Sequence, residues 1–387
     1  MNSVKGSPQV TLLSPYHGGS HRAWAEGLER HCSAEITVIG LEDRHWRWRM
    51  QGAALAMAGQ LHGQPRPDLL LATDMLDLAA FVGLARGYVG ASPIVLYMHE
   101  NQLTYPLREQ TIPAARARQR QDQARFFGLI NARSMAAADR VVFNSAFHQN
   151  AFFEALAELL ERLPADGERD ALLGLADRCE VIPVGIETGD LPQPDELPRA
   201  PLVVWNQRWE YDKNPAGLFA ALEAVAARGV EFEVALCGEC QGDRPSEFET
   251  GIAALGGRVV HQGFLPRHEY VRLLARSRVV VSTANHEFFG VSVVEAAVAG
   301  ALPLLPNRLS YPEVVTAAYG DACLYESPGD LVERLCVALS DPDPTRTAAL
   351  GLAASLRRRF DWTAVHGQYD ELFERELLAR AVAGGRR

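Results

Sequence analysis

The sequence predicts an α/β protein built as two doubly wound halves in tandem, and three observations carry that prediction. Short apolar runs alternate with amphipathic helical stretches almost from end to end, the pattern of parallel sheets covered by helices. The stretch ETGDLPQPDELPRAP at 187–201 is rich in proline and acid and has no period, as expected of a linker between domains. The length of 387 residues exceeds what one hydrophobic core usually organises.

In the first half, strands are expected at 9–15 (QVTLLSP), 35–39, 68–73 (DLLLAT), 93–98 (PIVLYM), 140–143 (RVVF) and 180–184, with helices between them. The second half restarts with a strand at 202–205 (LVVW). Asn214-Pro215 then opens a helix that closes at Gly229, giving an N-cap, an N1 proline and a C-terminal glycine in the preferred order. Further strands are expected at 232–237, 258–261, 278–282 and 301–305. The resulting division is a first domain at 1–186, the linker at 187–201, a second domain at 202–360 and a helical tail at 361–387 that returns to the first domain if Trp362 pins it there. Two such domains would place a ligand cleft between the carboxyl ends of their strands.

Composition narrows the class. A hydrophobic content of 48% and a charged content of 22% are those of a soluble globular protein. No run approaches the roughly 20 apolar residues that span a bilayer. MNSVKGSPQV lacks the apolar core of a signal peptide, so a cytoplasmic protein with no membrane partner is expected. Six cysteines are scattered, and only Cys237-Gly-Glu-Cys240 has redox or metal spacing. With no second ligand pair, it reads as incidental. A formal net charge of −10 argues against indiscriminate binding to nucleic acid. Locally the balance reverses: residues 114–133 hold Arg116, Arg118, Arg120, Arg125 and Arg133 against the single acid Asp122, either as a solvated helix face or as a phosphate-binding patch.

Several chemistries can be set aside. The two lysines, Lys5 and Lys213, do not follow a glycine, so there is no Walker A loop; no second histidine completes a zincin at His286-Glu287; and the D-x-D string Asp341-Pro-Asp343 reads as a turn. No metal is expected. What remains is HEFFGVSVVEAA at 286–297. It carries Glu287 and Glu295 on either side of Gly290, where a strand at 278–282 runs into a short helix at 291–299. The amides at such a helix start suit a diphosphate, while carboxylates beside them suit neutral hydroxyls, and a nucleotide sugar presents both. The alternative is that Glu295 balances the helix dipole and Glu287 caps it.

Three further segments end predicted strands. Asn206-Gln-Arg208-Trp-Glu-Tyr-Asp-Lys213 brings an arginine and a rare lysine to the carboxyl end of 202–205, where two cations could neutralise a departing nucleoside diphosphate. Tyr16-His-Gly18-Gly19-Ser20 would let backbone approach a ligand, or simply turn. His99-Glu-Asn101-Gln102 places a histidine and polar groups at a strand end. Finally, Arg44-His-Trp46-Arg47-Trp48-Arg49 interleaves cations with rings. It serves either as a surface for phosphates and stacked bases or as the start of a helix whose tryptophans are core.

Together these segments resemble the retaining GT-B glycosyltransferases of family 4, through the E-x7-E of Glu287 and Glu295, Arg208 with Lys213, the Gly18-Gly19 loop and His99. YHGGSH, HWRWR, YMHENQLTYP, VVFNS, WNQRWEYDKNP and STANHEFFGVSVVEA, with FDWTAVHG at 360–367, resemble the tRNA-queuosine mannosyltransferases within it. Compared with animal members, the chain lacks a long insertion ahead of the second domain. The resemblance implies two Rossmann-like domains and transfer of mannose, with retention, from GDP-mannose to a cyclopentenediol hydroxyl of queuosine in tRNA. It further implies that Arg208 and Lys213 hold the diphosphate, Glu295 the ribose, and Glu287 with the backbone of Phe288, Phe289 and Gly290 the sugar. His99 would line the reaction centre, with Gly18 and Gly19 approaching the donor from the first domain. His21, Trp46, Arg47, Trp48, Arg49, Asn101, Gln102, Arg116, Arg118 and Arg120 would serve the acceptor. Three other readings are a family 4 transferase with a lipid, polysaccharide or small-molecule acceptor, a GT-B epimerase that needs no acceptor, and a non-catalytic nucleotide-sugar or tRNA binding protein.

Overall fold

A computed structural model of the chain describes residues 7–106, 114–162, 164, 167–194, 199–240, 245–341 and 343–384. The side chains of Arg116 and Arg120, residues 195–198 of the proline-rich stretch and Pro342 of the D-x-D string lie outside the described residues. The chain divides into two units, the first formed by Met1–Gly185 with Trp362–Arg387 and the second by Ile186–Asp361.

The first unit is built on six parallel strands, β1 (Gln9–Ser14), β2 (Glu35–Gly40), β3 (Leu69–Thr73), β4 (Ile94–Met98), β5 (Arg140–Phe143) and β6 (Cys179–Val181), in the order β2-β1-β3-β4-β5-β6. Every residue of β3 and β4 is buried, as continuous apolar runs covered on both faces require. β6 stops earlier than the sequence predicts because Pro183 has no N–H to continue a ladder. The chain steps outward from β1 to β2 and returns to β3 on the opposite side, so strand order reverses between β1 and β3. At such a point the loops leaving the carboxyl ends diverge and open a crevice.

In the second unit, β7 (Leu202–Trp205), β8 (Glu233–Cys237), β9 (Val259–Gly263), β10 (Val279–Val281), β11 (Leu302–Pro306) and β12 (Leu324–Tyr325) lie parallel in the order β12-β11-β10-β7-β8-β9. Here the reversal falls between β7 and β10. β12 was not foreseen, since a two-residue strand leaves no apolar run to read.

The C-terminal helix Trp362–Gly384 belongs to the first unit. Trp362 is only 2% exposed and fits where Gly27 and Gly185 carry no side chain; a Cβ at either would overlap its ring. Further along the same helix, Tyr369 accepts from Trp24 Nε1 (2.9 Å) and donates to Pro183 O (3.1 Å).

Candidate active site

In the second unit, the loops leaving β7 and β10 carry the predicted charges to the point of strand-order reversal. After β7 the chain makes a 3-10 turn at Tyr211–Lys213 and then passes through Asn214 at φ +51°, whose side chain caps the helix Pro215–Ala227 by accepting from Gly217 N at 3.1 Å. That turn points Lys213 inward, leaving its side chain 7% exposed. Its ammonium donates to His286 O (2.8 Å) and lies 3.2 Å from Asp212 Oδ2 and 3.3 Å from Glu287 Oε2. The two loops are stitched together by Thr283 Oγ1 on the carbonyls of Lys213 and Asn214, both at 2.9 Å, and by Asn285 N on Asp212 O at 2.8 Å. The second oxygen of Glu287 accepts from the amides of Phe288 (3.1 Å) and Phe289 (3.3 Å), while both phenyl rings are buried.

This arrangement sets the charges. Burial disfavours the Lys213 ammonium, but Glu287 and Asp212 outweigh it and leave the group above its ordinary value. Burial likewise opposes the Glu287 carboxylate, and Lys213 with the Phe289 amide overcomes it, holding the acid below the usual carboxylate range. Burial, with Lys213 alongside, pushes the His286 imidazole down to about 4, so it is neutral at physiological pH. Arg208 remains at the surface, 43% exposed and 3.5 Å from Glu210.

Gly290, at φ +93°, is the N-cap of the helix Val291–Val298 and offers no side-chain cap; Glu287 instead bonds to the two amides ahead of the helix. Glu295, 15% exposed, pairs with Arg267, which is held in turn by two 2.8 Å bonds to Asp190. Burial raises the Glu295 carboxyl above its ordinary value despite Arg267 and a bond to the Tyr270 hydroxyl. Tyr270 accepts from Asn206 Nδ2 (2.8 Å), which also reaches Ser292 O (2.6 Å).

In the first unit, Gly18 is extended, and a Cβ there would collide with the Asp43 carboxylate; Gly19, at φ +49°, opens the helix Gly19–His31. His99 leaves β4 among rings, with centroids 4.2 Å from His21, 4.6 Å from Trp24 and 4.8 Å from Tyr97. Burial, with His21 and His148 nearby, keeps its imidazole well below its ordinary value and therefore neutral. His99 N donates to Asp74 Oδ1 (2.9 Å) at the end of β3, and His99 O accepts from Asn144 Nδ2 (2.9 Å). Asn101 Oδ1 accepts from the amides of Leu103 and Thr104, both at 3.0 Å, and Gln102 Nε2 donates to Glu100 at 3.0 Å.

Residues 9–186 match the family model described as tRNA-queuosine alpha-mannosyltransferase N-terminal, and residues 192–352 match glycosyl transferases group 1. A tRNA-queuosine alpha-mannosyltransferase of Drosophila melanogaster is 34% identical over 342 residues, covering 85% of this chain and 86% of its own. The chain belongs to the tRNA-queuosine alpha-mannosyltransferase family. Like that family it is a glycosyltransferase with the GT-B fold. A GDP-mannose:cellobiosyl-diphosphopolyprenol alpha-mannosyltransferase of Xanthomonas oryzae is 25% identical over 223 residues, covering 56% of this chain and 57% of its own. The structure of sucrose-phosphate synthase from Thermosynechococcus elongatus superimposes with a TM-score of 0.71 at 16% identity, covering 96% of this chain and 99% of that one. No helix among the described residues is long and apolar enough to cross a membrane, and no group of three or more His, Cys, Asp or Glu among them could hold a metal ion.

For this family member the structure brings Lys213 to Glu287 in the second unit and His21 to His99 in the first. It separates the two tryptophans of the HWRWR segment. Trp46 packs on Phe127 at 5.3 Å beneath the Arg47 guanidinium, whereas Trp48 is 64% exposed. Arg49 donates to Glu42 O (3.0 Å). Within the basic helix Ala114–Ala137, Arg118 is exposed, Arg125 pairs with Asp122 and Arg133 with Asp77. The residues that sequence reasoning missed are Asp74, Asp212, Arg267 and Tyr270. Asp74 had a signal, since it directly follows the run DLLLAT; Arg267 had none, because its carboxylate partners are brought to it only by the fold.

Proposed function

We propose that the protein transfers mannose from GDP-mannose to queuosine in tRNA, with retention of configuration, in the cytoplasm. The observation that supports this most is the Drosophila relative's identity across both units, taken with the buried Lys213, Asp212 and Glu287 cluster at the strand-order reversal of the second unit. The first unit is then the acceptor domain and the second the nucleotide-sugar domain. In this reading Arg208 and Lys213 neutralise the diphosphate and Glu295 takes the ribose. Glu287 and the 288–290 backbone take the sugar, His99 serves the acceptor, and no metal is required. The bond from the anomeric carbon to the phosphate oxygen breaks as the acceptor oxygen bonds to the same face, and the hydroxyl proton passes to the departing phosphate. Lys213 matters most late in the step, when charge accumulates on that phosphate.

Incubating the protein with queuosine-containing tRNA and a panel of nucleotide sugars, then weighing the digested nucleosides, tests the reading. A hexose increment on queuosine with GDP-mannose alone is expected; none with any sugar would overturn it. A parallel arm with a polyprenyl-diphosphate sugar tests the lipid-acceptor alternative that the Xanthomonas relative favours. Glu287→Gln keeps an acceptor for the amides of Phe288 and Phe289 and is expected to lower kcat on the order of a hundredfold. A fully active variant would remove Glu287 from the mechanism. For tRNA, Arg47→Glu with Arg118→Glu is expected to weaken binding and to lower the slope of log affinity against log salt by about one for each phosphate left without its arginine. An unchanged slope would move the tRNA track elsewhere.

A further inference from the structure

At the carboxyl ends of β3 and β4, next to the strand-order reversal of the first unit, three buried polar atoms have no hydrogen-bond partner among the described residues: Asp74 Oδ2, His99 Nε2 and Asn101 Nδ2. Asp74 follows β3, and His99 and Asn101 follow the neighbouring β4. The two strand ends are tied together by His99 N on Asp74 Oδ1 (2.9 Å), and Asn131 bridges from Asp74 O (3.0 Å) to Gln102 N (3.1 Å). Asp74 is 1% exposed and Asn101 0%. A buried polar atom left without a partner costs stability, and these three belong to the loops that leave two neighbouring strands.

The atoms specify the ligand's chemistry. Asp74 offers an acceptor, Asn101 a donor, and neutral His99 a ring nitrogen that takes either role by tautomer. Burial and the nearby Glu100 carboxylate raise the Asp74 carboxyl well above its usual range, against the backbone N–H groups of His99, Asp74 and Glu100. A carboxyl held beside a second carboxylate, away from water, is best relieved by a positive charge arriving with the ligand. Resting on the reading that queuosine is the acceptor, the chemistry selects one group of that nucleoside. Its side chain joins the cyclopentenediol to the 7-deazaguanine through a secondary alkylamine that is protonated near neutral pH, and unmodified guanosine has no such group.

We propose that Asp74 is a specificity-determining residue that receives the protonated amine of the queuosine side chain, with Asn101 and His99 completing the hydrogen bonds around the adjoining diol. Asp74 thereby tells the modified base from guanosine before any mannose is transferred.

Competition against queuosine-tRNA mannosylation tests this with two probes, a tRNA carrying 7-aminomethyl-7-deazaguanine, which has the amine without the diol, and the same tRNA carrying guanosine. The wild-type enzyme is expected to be inhibited on the order of 30-fold more strongly by the aminomethyl tRNA, the discrimination a buried charge pair supplies. Equal inhibition by the two overturns the proposal without need of any variant. Asp74→Asn retains an oxygen for His99 N and is expected to lose the discrimination and raise KM for queuosine-tRNA while its affinity for GDP is unchanged. If the variant still distinguishes the two tRNAs, Asp74 does not read the amine. A wild-type enzyme that mannosylates no queuosine-tRNA sinks the acceptor reading itself, which separates that failure from this one.

Discussion

Lys213→Ala is expected to lower stability by about 3–5 kcal/mol and kcat/KM on the order of a thousandfold. Its ammonium is the cation set between Asp212, whose side chain is wholly buried, and Glu287, and it also holds His286 O. Removing it leaves the wholly buried Asp212 and the partly buried Glu287 carboxylates without their cation, which costs more than the pair itself contributes. The pH dependence carries a definite sign. Glu287 is held below its ordinary range, so its contribution is present above that range and fades as pH falls through the lowered value. Lys213 is held above its ordinary value, so its contribution is present below that value and fades as pH rises through the raised one. The stability gap between wild type and Lys213→Ala should therefore be flat through neutral pH and shrink at both the acid and the alkaline end. Urea midpoints across that range measure it, and a gap that widens in acid would contradict the assignment. Lys213→Arg keeps the charge, but a planar fork does not fit a point-charge niche 7% exposed, so it should recover part of the stability and little of the rate.

Trp362→Ala should cost about 3–5 kcal/mol, all of it in the first unit. The ring stacks on His31 with centroids 5.8 Å apart and packs against Tyr369, and the glycines at 27 and 185 that admit it have no side chains with which to fill the void. Binding of GDP should persist, since the predicted donor residues that carry side-chain charge all lie in the other unit. Denaturant unfolding followed by near-ultraviolet signal and by GDP binding separates the two. Loss of both together would show that the second unit depends on this ring.

Most of the fold was legible because buried parallel strands write themselves as continuous apolar runs, as at 69–73, 94–98 and 202–205. The candidate donor residues could be singled out for a related reason. Arg208, Lys213, Glu287 and Gly290 lie on the segments that leave such runs, and strand ends are where α/β sheets hold ligands. Asn214-Pro215 announced its helix through capping chemistry alone, and the cap is present. What stayed hidden depends on pairing across the chain. Asp74 sits at a strand end like the others, but a lone acid there looks like a turn until the β1/β3 reversal and its unsatisfied oxygen are seen. Arg267 comes from a helix with no periodic oddity, and only the fold sets it against Glu295 and Asp190. The alternation of HWRWR could not say which ring faces inward, because residues two apart point to different sides of a helix.

The return of the C-terminal helix to the first unit has a consequence for biosynthesis. A nascent chain that has emerged only as far as Asp361 carries the second unit whole, whereas the first still lacks the helix that seats Trp362 and Tyr369. The unit translated earlier is thus the one that matures later, the reverse of the usual vectorial order. A chain held on the ribosome by an added C-terminal extension, with residues 1–361 clear of the exit tunnel and 362–387 removed, should display a protease-resistant second unit joined to a first one that is still readily cleaved.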